Sequence, residues 1–92
     1  MIQSYRDERT RRLANRERVR ELARIEDQAR TRLLRLDAAT TLEDLRAIRG
    51  NRLESLRGDR EGQFSIRIND QYRICFKWSE KGPADVEIVD YR

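Results

Sequence analysis

From Phe64 to Trp78 apolar and polar residues take turns along the chain. Phe64, Ile66 and Ile68 are interleaved with Ser65, Arg67 and Asn69; Tyr72, Ile74, Phe76 and Trp78 are interleaved with Arg73, Cys75 and Lys77. A period of two is the signature of a strand with one buried face. Asn69-Asp70-Gln71 separates the runs as a tight turn, so the strands are antiparallel neighbours. One consequence follows whatever the rest of the fold does. If the apolar set faces a core, Arg67 and Arg73 face the other way together.

Upstream of Gly50 the period is helical. Asp7 is a candidate N-cap for a short helix over about residues 8–15, ended by Asn15. Leu22, Ile25, Ala29, Leu33 and Leu36 recur at spacings of three and four and predict a longer helix over about residues 19–38. Arg24, Glu26, Asp27, Arg30 and Arg35 take its other side, with Glu26 and Arg30 at the favourable i,i+4 spacing. That face is a solvated surface, a partner surface or an RNA contact; the spacing does not choose. Thr41-Leu42-Glu43-Asp44 reads as a capping box with Asp in the usual place of Glu. It opens a short helix holding Leu42, Leu45 and Ile48, ended by Gly50.

The remaining segments are strands and loops. Residues 2–6 are a candidate opening strand. Residues 51–57 are an irregular one, because Leu53 and Leu56 fall on opposite parities, as a bulge would produce. Residues 58–62 are a loop, 79–84 a turn, and 85–91 the last strand, with Val86 and Ile88 on one face. The expected architecture is an α+β domain spanning residues 1–92. An N-terminal strand and two to three helices pack on one face of a small, mainly antiparallel sheet of four to five strands.

Composition narrows the function classes. Charged residues make up 41% of the 92 and hydrophobic residues 37%, enough for one modest core. The net charge of +4 favours acidic partners. All but Lys77 and Lys81 of the 21 basic residues are Arg, which suits phosphate recognition and equally suits a compositional bias of the source genome. Residues 1–40 carry 11 basic and 7 acidic side chains, whereas residues 41–92 carry 10 of each. A binding patch in the strand half therefore requires the signs to be sorted by face.

Histidine is absent, which excludes imidazole zinc sites and His-dependent triads. No metal or cofactor is expected. Cys75 is the sole cysteine, expected as a buried small hydrophobe in a reduced, cytoplasmic setting. A polar N-terminus and the lack of a long apolar run lead us to expect neither a signal peptide nor a membrane span.

The candidate functional residues are basic ones set among the strands: Arg52, Arg57, Arg60, Arg67, Arg73 and Lys77, followed by Asp90-Tyr91-Arg92. Guanidinium forks bind phosphate bidentately and stay charged at any working pH. The competing reading pairs Arg67 and Arg73 with Glu87 or Glu54 as solvated cross-strand contacts.

Three blocks carry a resemblance: LDAATTLEDLR at 36–46, GNRLESLRGDREGQFSIRINDQYRICFKW at 50–78 and DVEIVDYR at 85–92. In this order and spacing the chain resembles the HigB-type toxins of the RelE/ParE superfamily, the toxin half of bacterial toxin–antitoxin pairs. The resemblance implies a metal-independent, ribosome-dependent endoribonuclease that cuts mRNA in the decoding site. The ribose 2′-OH attacks the adjacent phosphate and the 5′-oxygen leaves. It implies that Arg73 clamps the scissile phosphate and that Tyr91 stacks on a base or orients the hydroxyl. Asp90 would orient neighbours or take part in proton transfer, and Glu54 is a candidate base. Arg57, Arg60, Arg67 and Lys77 would hold RNA backbone.

The implied partners are a HigA-like helix-turn-helix antitoxin, the ribosome with its mRNA, and operator DNA through the antitoxin complex. Relatives commonly end Asp-Tyr-His, with that His acting in catalysis, and here Arg92 stands in its place. An arginine stabilises charge but is a poor proton donor or acceptor. Arg92 is thus native to an electrostatic mechanism, a weakening natural change, or a deliberate inactivation. A ParE-like toxin that binds DNA gyrase without catalysis shares the fold. A surface that only docks an acidic antitoxin segment is a third reading.

Overall fold

The alternating half folds as an antiparallel meander in the order β1 (Glu54–Ser55), β2 (Gln63–Arg67), β3 (Tyr72–Ser79) and β4 (Gly82–Asp90). The structure is a computed structural model and describes residues 1–91; the candidate Arg92 lies outside the described residues. Helices α1 (Glu8–Ala14), α2 (Glu26–Ala38) and α3 (Leu42–Arg46) pack on one face of the sheet, as an α+β domain requires.

Cross-strand register explains why that face was chosen. Phe64 pairs with Phe76, Ile66 with Ile74, and Ile74 with Ile88. They meet Leu13, Leu22, Ala29, Leu33, Leu36 and Leu45 from the helical side in one core. The Phe64 and Phe76 rings stack at 6.2 Å and Trp78 closes edge-on to Phe76.

The predicted long helix over residues 19–38 is two pieces. Arg20–Ile25 is a 3₁₀ segment and α2 begins at Glu26. Packing supplies the reason. Val19, Leu22 and Ile25 lie three apart and all are buried, and a helix of three residues per turn stacks them in one line. Beyond Ile25 the buried residues Ala29, Leu33 and Leu36 return to the 3.6 period.

The predicted caps are present. Asp7 accepts from Thr10 N, and Thr41 and Asp44 bond reciprocally as a capping box.

The opening strand expected at residues 2–6 is a single parallel bridge between Tyr5 and Val86. Backbone bonds from Gln3 to Pro83, Arg6 to Val86 and Val86 to Ser4 hold this segment against β4. Further along, Thr10 Oγ accepts from Ile88 N and Arg9 donates to Ile88 O. The outer edge of β4 is thus occupied, which removes a site for pairing with another chain. Residues 51–57 form only the two-residue β1, because Arg52 enters a left-handed turn at φ 45°. The irregularity expected there lies in β4 instead. Its register against β3 shifts between Cys75 and Lys77, where Asp85 takes φ 51°.

Candidate active site

The sheet face away from the helices carries side chains in rows two residues apart along each strand. The middle row is Glu54, Ser65, Cys75 and Glu87; one flanking row is Arg67, Arg73 and Val89; the other is Gln63, Lys77 and Ala84. Arg67 and Arg73 are direct cross-strand partners on this face, as the alternation predicted. Tyr91 follows Val89 by two positions and extends the same face. Arg73 Cζ lies 5.8 Å from the centroid of its ring.

Arg73 is the centre of the arrangement and is only 8% exposed. Its Nε donates to Ser65 Oγ at 2.7 Å. Its Nη2 donates to Arg52 O at 2.7 Å and reaches Ser65 O at 3.4 Å. Glu54 Oε1 stands 3.9 Å from Nη1, an ion pair too long for a hydrogen bond. A buried guanidinium is tolerable because these acceptors replace water. The Nη1 edge has no hydrogen-bond acceptor among the described residues, so it is the part of the fork left for a ligand. Fixed and cationic, it suits an oxygen that gains negative charge during a reaction.

The other candidates fall into distinct settings. Arg67 pairs with Asp70, which is itself almost wholly exposed. Arg57 is exposed and has no ion pair among the described residues. Arg60 reaches back across the face to Gln63 and Glu87, both at 3.1 Å, from a turn framed by Gly58 and Gly62 at positive φ. Lys77 pairs with Asp85 at 3.5 Å. Asp90 pairs in register with Tyr72, on the opposite parity from Arg73, and accepts from Gln71 Nε2. Tyr91 N donates to Gln71 O, so the β2–β3 turn anchors the end of the described chain. The structure thus brings Glu54, Arg67, Arg73 and Tyr91 together, and sets Arg60 and Lys77 in ion pairs toward the other end of the face.

Cys75 is fully buried on this same face, paired in register with Glu87 and outside the helical core. Burial pushes its thiol above the ordinary 9.0, with Arg60 and Arg73 pulling it down and Glu87 adding to the rise. It is therefore held as a thiol and is a poor nucleophile.

Three contributors escaped the sequence reading. Ser65 looked like an ordinary polar position in β2, and nothing in the pattern marks its hydroxyl as a partner of Arg73. The carbonyl of Arg52 was hidden because it acts through backbone. Arg32 reaches from α2 to Arg67 O at 3.1 Å. Burial lowers its pKa, and the charges of Arg35 and Arg67 lower it further, so positive charge accumulates at this end. Its place three residues after Ala29 and four before Leu36, on the border of the apolar stripe, was the available signal.

Two surface grooves of about 570 and 500 Å³ lie elsewhere. The first runs along Tyr5, Leu33 and Leu34, the second along Arg24, Gln28 and Tyr72, and Arg73 lines neither. Among the described residues no cluster of three Cys, Asp or Glu is placed to hold a metal ion. None of the helices described is long and apolar enough to cross a membrane.

Comparison with known proteins agrees with the resemblance drawn from the motifs. Toxin HigB-1 of Vibrio cholerae serotype O1 is 54% identical over 43 residues, a match covering 47% of this chain and 45% of that relative. The family described as the RelE-like toxin of type II toxin–antitoxin system HigB matches residues 2–92. That match spans nearly the whole chain and the α+β meander is consistent with it, so the chain belongs to the HigB-like toxins.

Proposed function

We propose that this toxin is a ribosome-dependent endoribonuclease that cuts mRNA, and that Arg73 holds the scissile phosphate. The observation that carries the reading is the state of Arg73. Two of its nitrogens are tied down, its Cζ lies 5.8 Å from the Tyr91 ring centroid, and among the described residues its Nη1 has no hydrogen-bond acceptor, with Glu54 3.9 Å away. A ligand that fits is a phosphodiester in an extended strand. A non-bridging oxygen takes the Nη1 edge, and Tyr91 offers a ring for a base.

In this reaction the 2′-oxygen forms a bond to phosphorus as the bond to the 5′-oxygen breaks. The products are a 2′,3′-cyclic phosphate and a 5′-hydroxyl. The 2′-OH proton passes to a base, for which exposed Glu54 is the candidate, and the leaving 5′-oxygen takes its proton from solvent water. Arg73 stabilises the charge that builds on the pentacoordinate phosphorus. Arg67, Arg57 and the neighbouring Arg32 supply positive charge to the flanking backbone. Arg60 and Lys77 enter this path by exchanging Glu87 and Asp85 for phosphate. A helix-turn-helix antitoxin is the expected partner, linking the pair to operator DNA.

Primer extension on mRNA from translating ribosomes tests the reading, with codon-phased stops as the expected result. No stops, combined with blocked gyrase supercoiling, would replace it with the gyrase-binding alternative. In the same assay Arg92→His raises cleavage if the present residue is a lesion and leaves it unchanged if arginine is native to the mechanism.

A further inference from the structure

We infer that Ser65 is a positioning residue, whose hydroxyl acts with the left-handed backbone of Arg52 to aim the free edge of Arg73. The inference rests on the phosphate-clamp reading above and adds what sets the direction of the clamp. A guanidinium is a rigid plane on a flexible stem, and two fixed points on that plane determine where its remaining edge points. Ser65 Oγ fixes Nε at 2.7 Å and the Arg52 carbonyl fixes Nη2 at 2.7 Å. Arg73 Cζ sits over the Tyr91 ring, 5.8 Å from its centroid. Nη1 is then the only nitrogen without a hydrogen bond among the described residues, and its direction is set by the other two.

Both anchors run against local preference, which argues that they are there for Arg73. Ser65 is fully buried at mid-strand, where an apolar residue would carry no desolvation cost. Arg52 adopts φ 45° and ψ 58°, an unfavourable region for a residue with a Cβ, while its exposed side chain has no partner among the described residues that would require it. That conformation directs the Arg52 carbonyl at the guanidinium.

Removing the Ser65 hydroxyl leaves the charge of Arg73 in place but frees its plane, so turnover suffers and RNA affinity does not. Single-turnover cleavage of ribosome-bound mRNA is measured for the wild type, Arg73→Lys, Ser65→Ala and Ser65→Thr. Ser65→Ala is expected to lower the maximal rate about tenfold at unchanged half-saturating concentration, whereas Ser65→Thr, which keeps the oxygen, stays within about threefold. In parallel, ¹⁵N NMR reads solvent exchange of the Arg73 Nε–H, expected to be protected in the wild type and about tenfold faster in Ser65→Ala.

Wild-type cleavage by Ser65→Ala alongside an inactive Arg73→Lys overturns the inference and spares the clamp. An unprotected Nε–H in the wild type overturns it as well, even if Ser65→Ala does not fold. A wild type that does not cut, or an Arg73→Lys that cuts normally, overturns the clamp instead, and the exchange data then decide the cradle by themselves.

Discussion

Ser65 and Ile66 are neighbours in β2 and both are wholly buried, but they are buried by different kinds of matter. Ile66 faces the helices, in an apolar core that includes Leu13, Leu33, Ile74 and Ile88. Ser65 faces the other way, in a polar layer where Arg73, Arg60, Gln63 and Glu87 lie across the sheet without any helix. The first kind of burial is non-directional and roughly proportional to area. The second is directional: each donor needs its acceptor at the right distance and angle. Losing one member of the polar layer therefore strands its partners. It also explains how one small sheet is stable on one side and presents a fixed charge on the other.

The comparison breaks most decisively at Arg73. Arg73→Lys keeps the charge and loses the fork. We expect cleavage to fall by about 10²–10³-fold, or roughly 3–4 kcal/mol of transition-state stabilisation, while the protein stays folded. Alanine is a poorer probe, because it would leave the Ser65 hydroxyl and the Arg52 carbonyl buried without their donor. Primer extension measures the loss, and a variant cutting within a few-fold of wild type would remove the polar face from the mechanism.

Next in size is the apolar face. Ile74→Ala should lower unfolding stability in urea by about 2–5 kcal/mol. Its sheet neighbour Cys75→Ala, on the polar side, should cost only about 1 kcal/mol. Equal losses would mean that both faces are held by packing alone.

Arg60→Ala sharpens the contrast through the Cys75 thiol, on which the Arg60 charge acts. The side chain is about a third exposed, so its ion pair contributes about 1 kcal/mol or less. Cys75 should nevertheless react with a thiol reagent about tenfold faster once the Arg60 bridge between Gln63 and Glu87 is gone. The sign of the pH effect follows from the raised pKa. Stability due to the neutral thiol is complete below the unfolded value, near 9.0, and is lost as pH rises through the higher folded value. Alkaline unfolding curves should flatten in Cys75→Ala; identical curves would deny the thiol this role.

The smallest effect belongs to a site on neither face. Thr41→Ala removes the α3 cap at a cost of about 1 kcal/mol and should leave cleavage unchanged. Asp44, whose carboxyl is held below the ordinary 3.8 by bonds from Thr40 and Thr41, contributes above that pH and loses its contribution as pH falls through its lower folded value. A fall in cleavage with Thr41→Ala would couple the cap to the site and blur the division between faces.

The division itself was legible early. Alternation through Phe64, Ile66, Ile74 and Phe76 put Arg67 and Arg73 on one face, and register bears this out. Caps at Asp7 and Thr41 were legible because capping is a local, short-range chemistry. The break at Ile25 was written in a spacing of three that a helical reading absorbed too readily. The strand over residues 51–57 was misjudged because its shape depends on Arg52 turning left-handed, to which no neighbouring residue type points. The roles proposed for Glu54, Asp90 and Tyr91 came from family resemblance. The structure adds their places: Glu54 and Tyr91 near Arg73, Asp90 on the other parity.

By itself the order of residues determined the α+β class, the paired strands and the face on which the arginines stand, because periodicity and capping act over a few residues. Only the folded chain decided which arginine is buried, which are tied in ion pairs and which edge of Arg73 has no hydrogen-bond acceptor among the described residues. Those outcomes depend on groups brought together from distant positions, Ser65 and Arg52 around Arg73 and Glu87 beneath Arg60. Hydrogen bonds between such groups are set by distance and angle in space, and neither is encoded in the spacing along a strand.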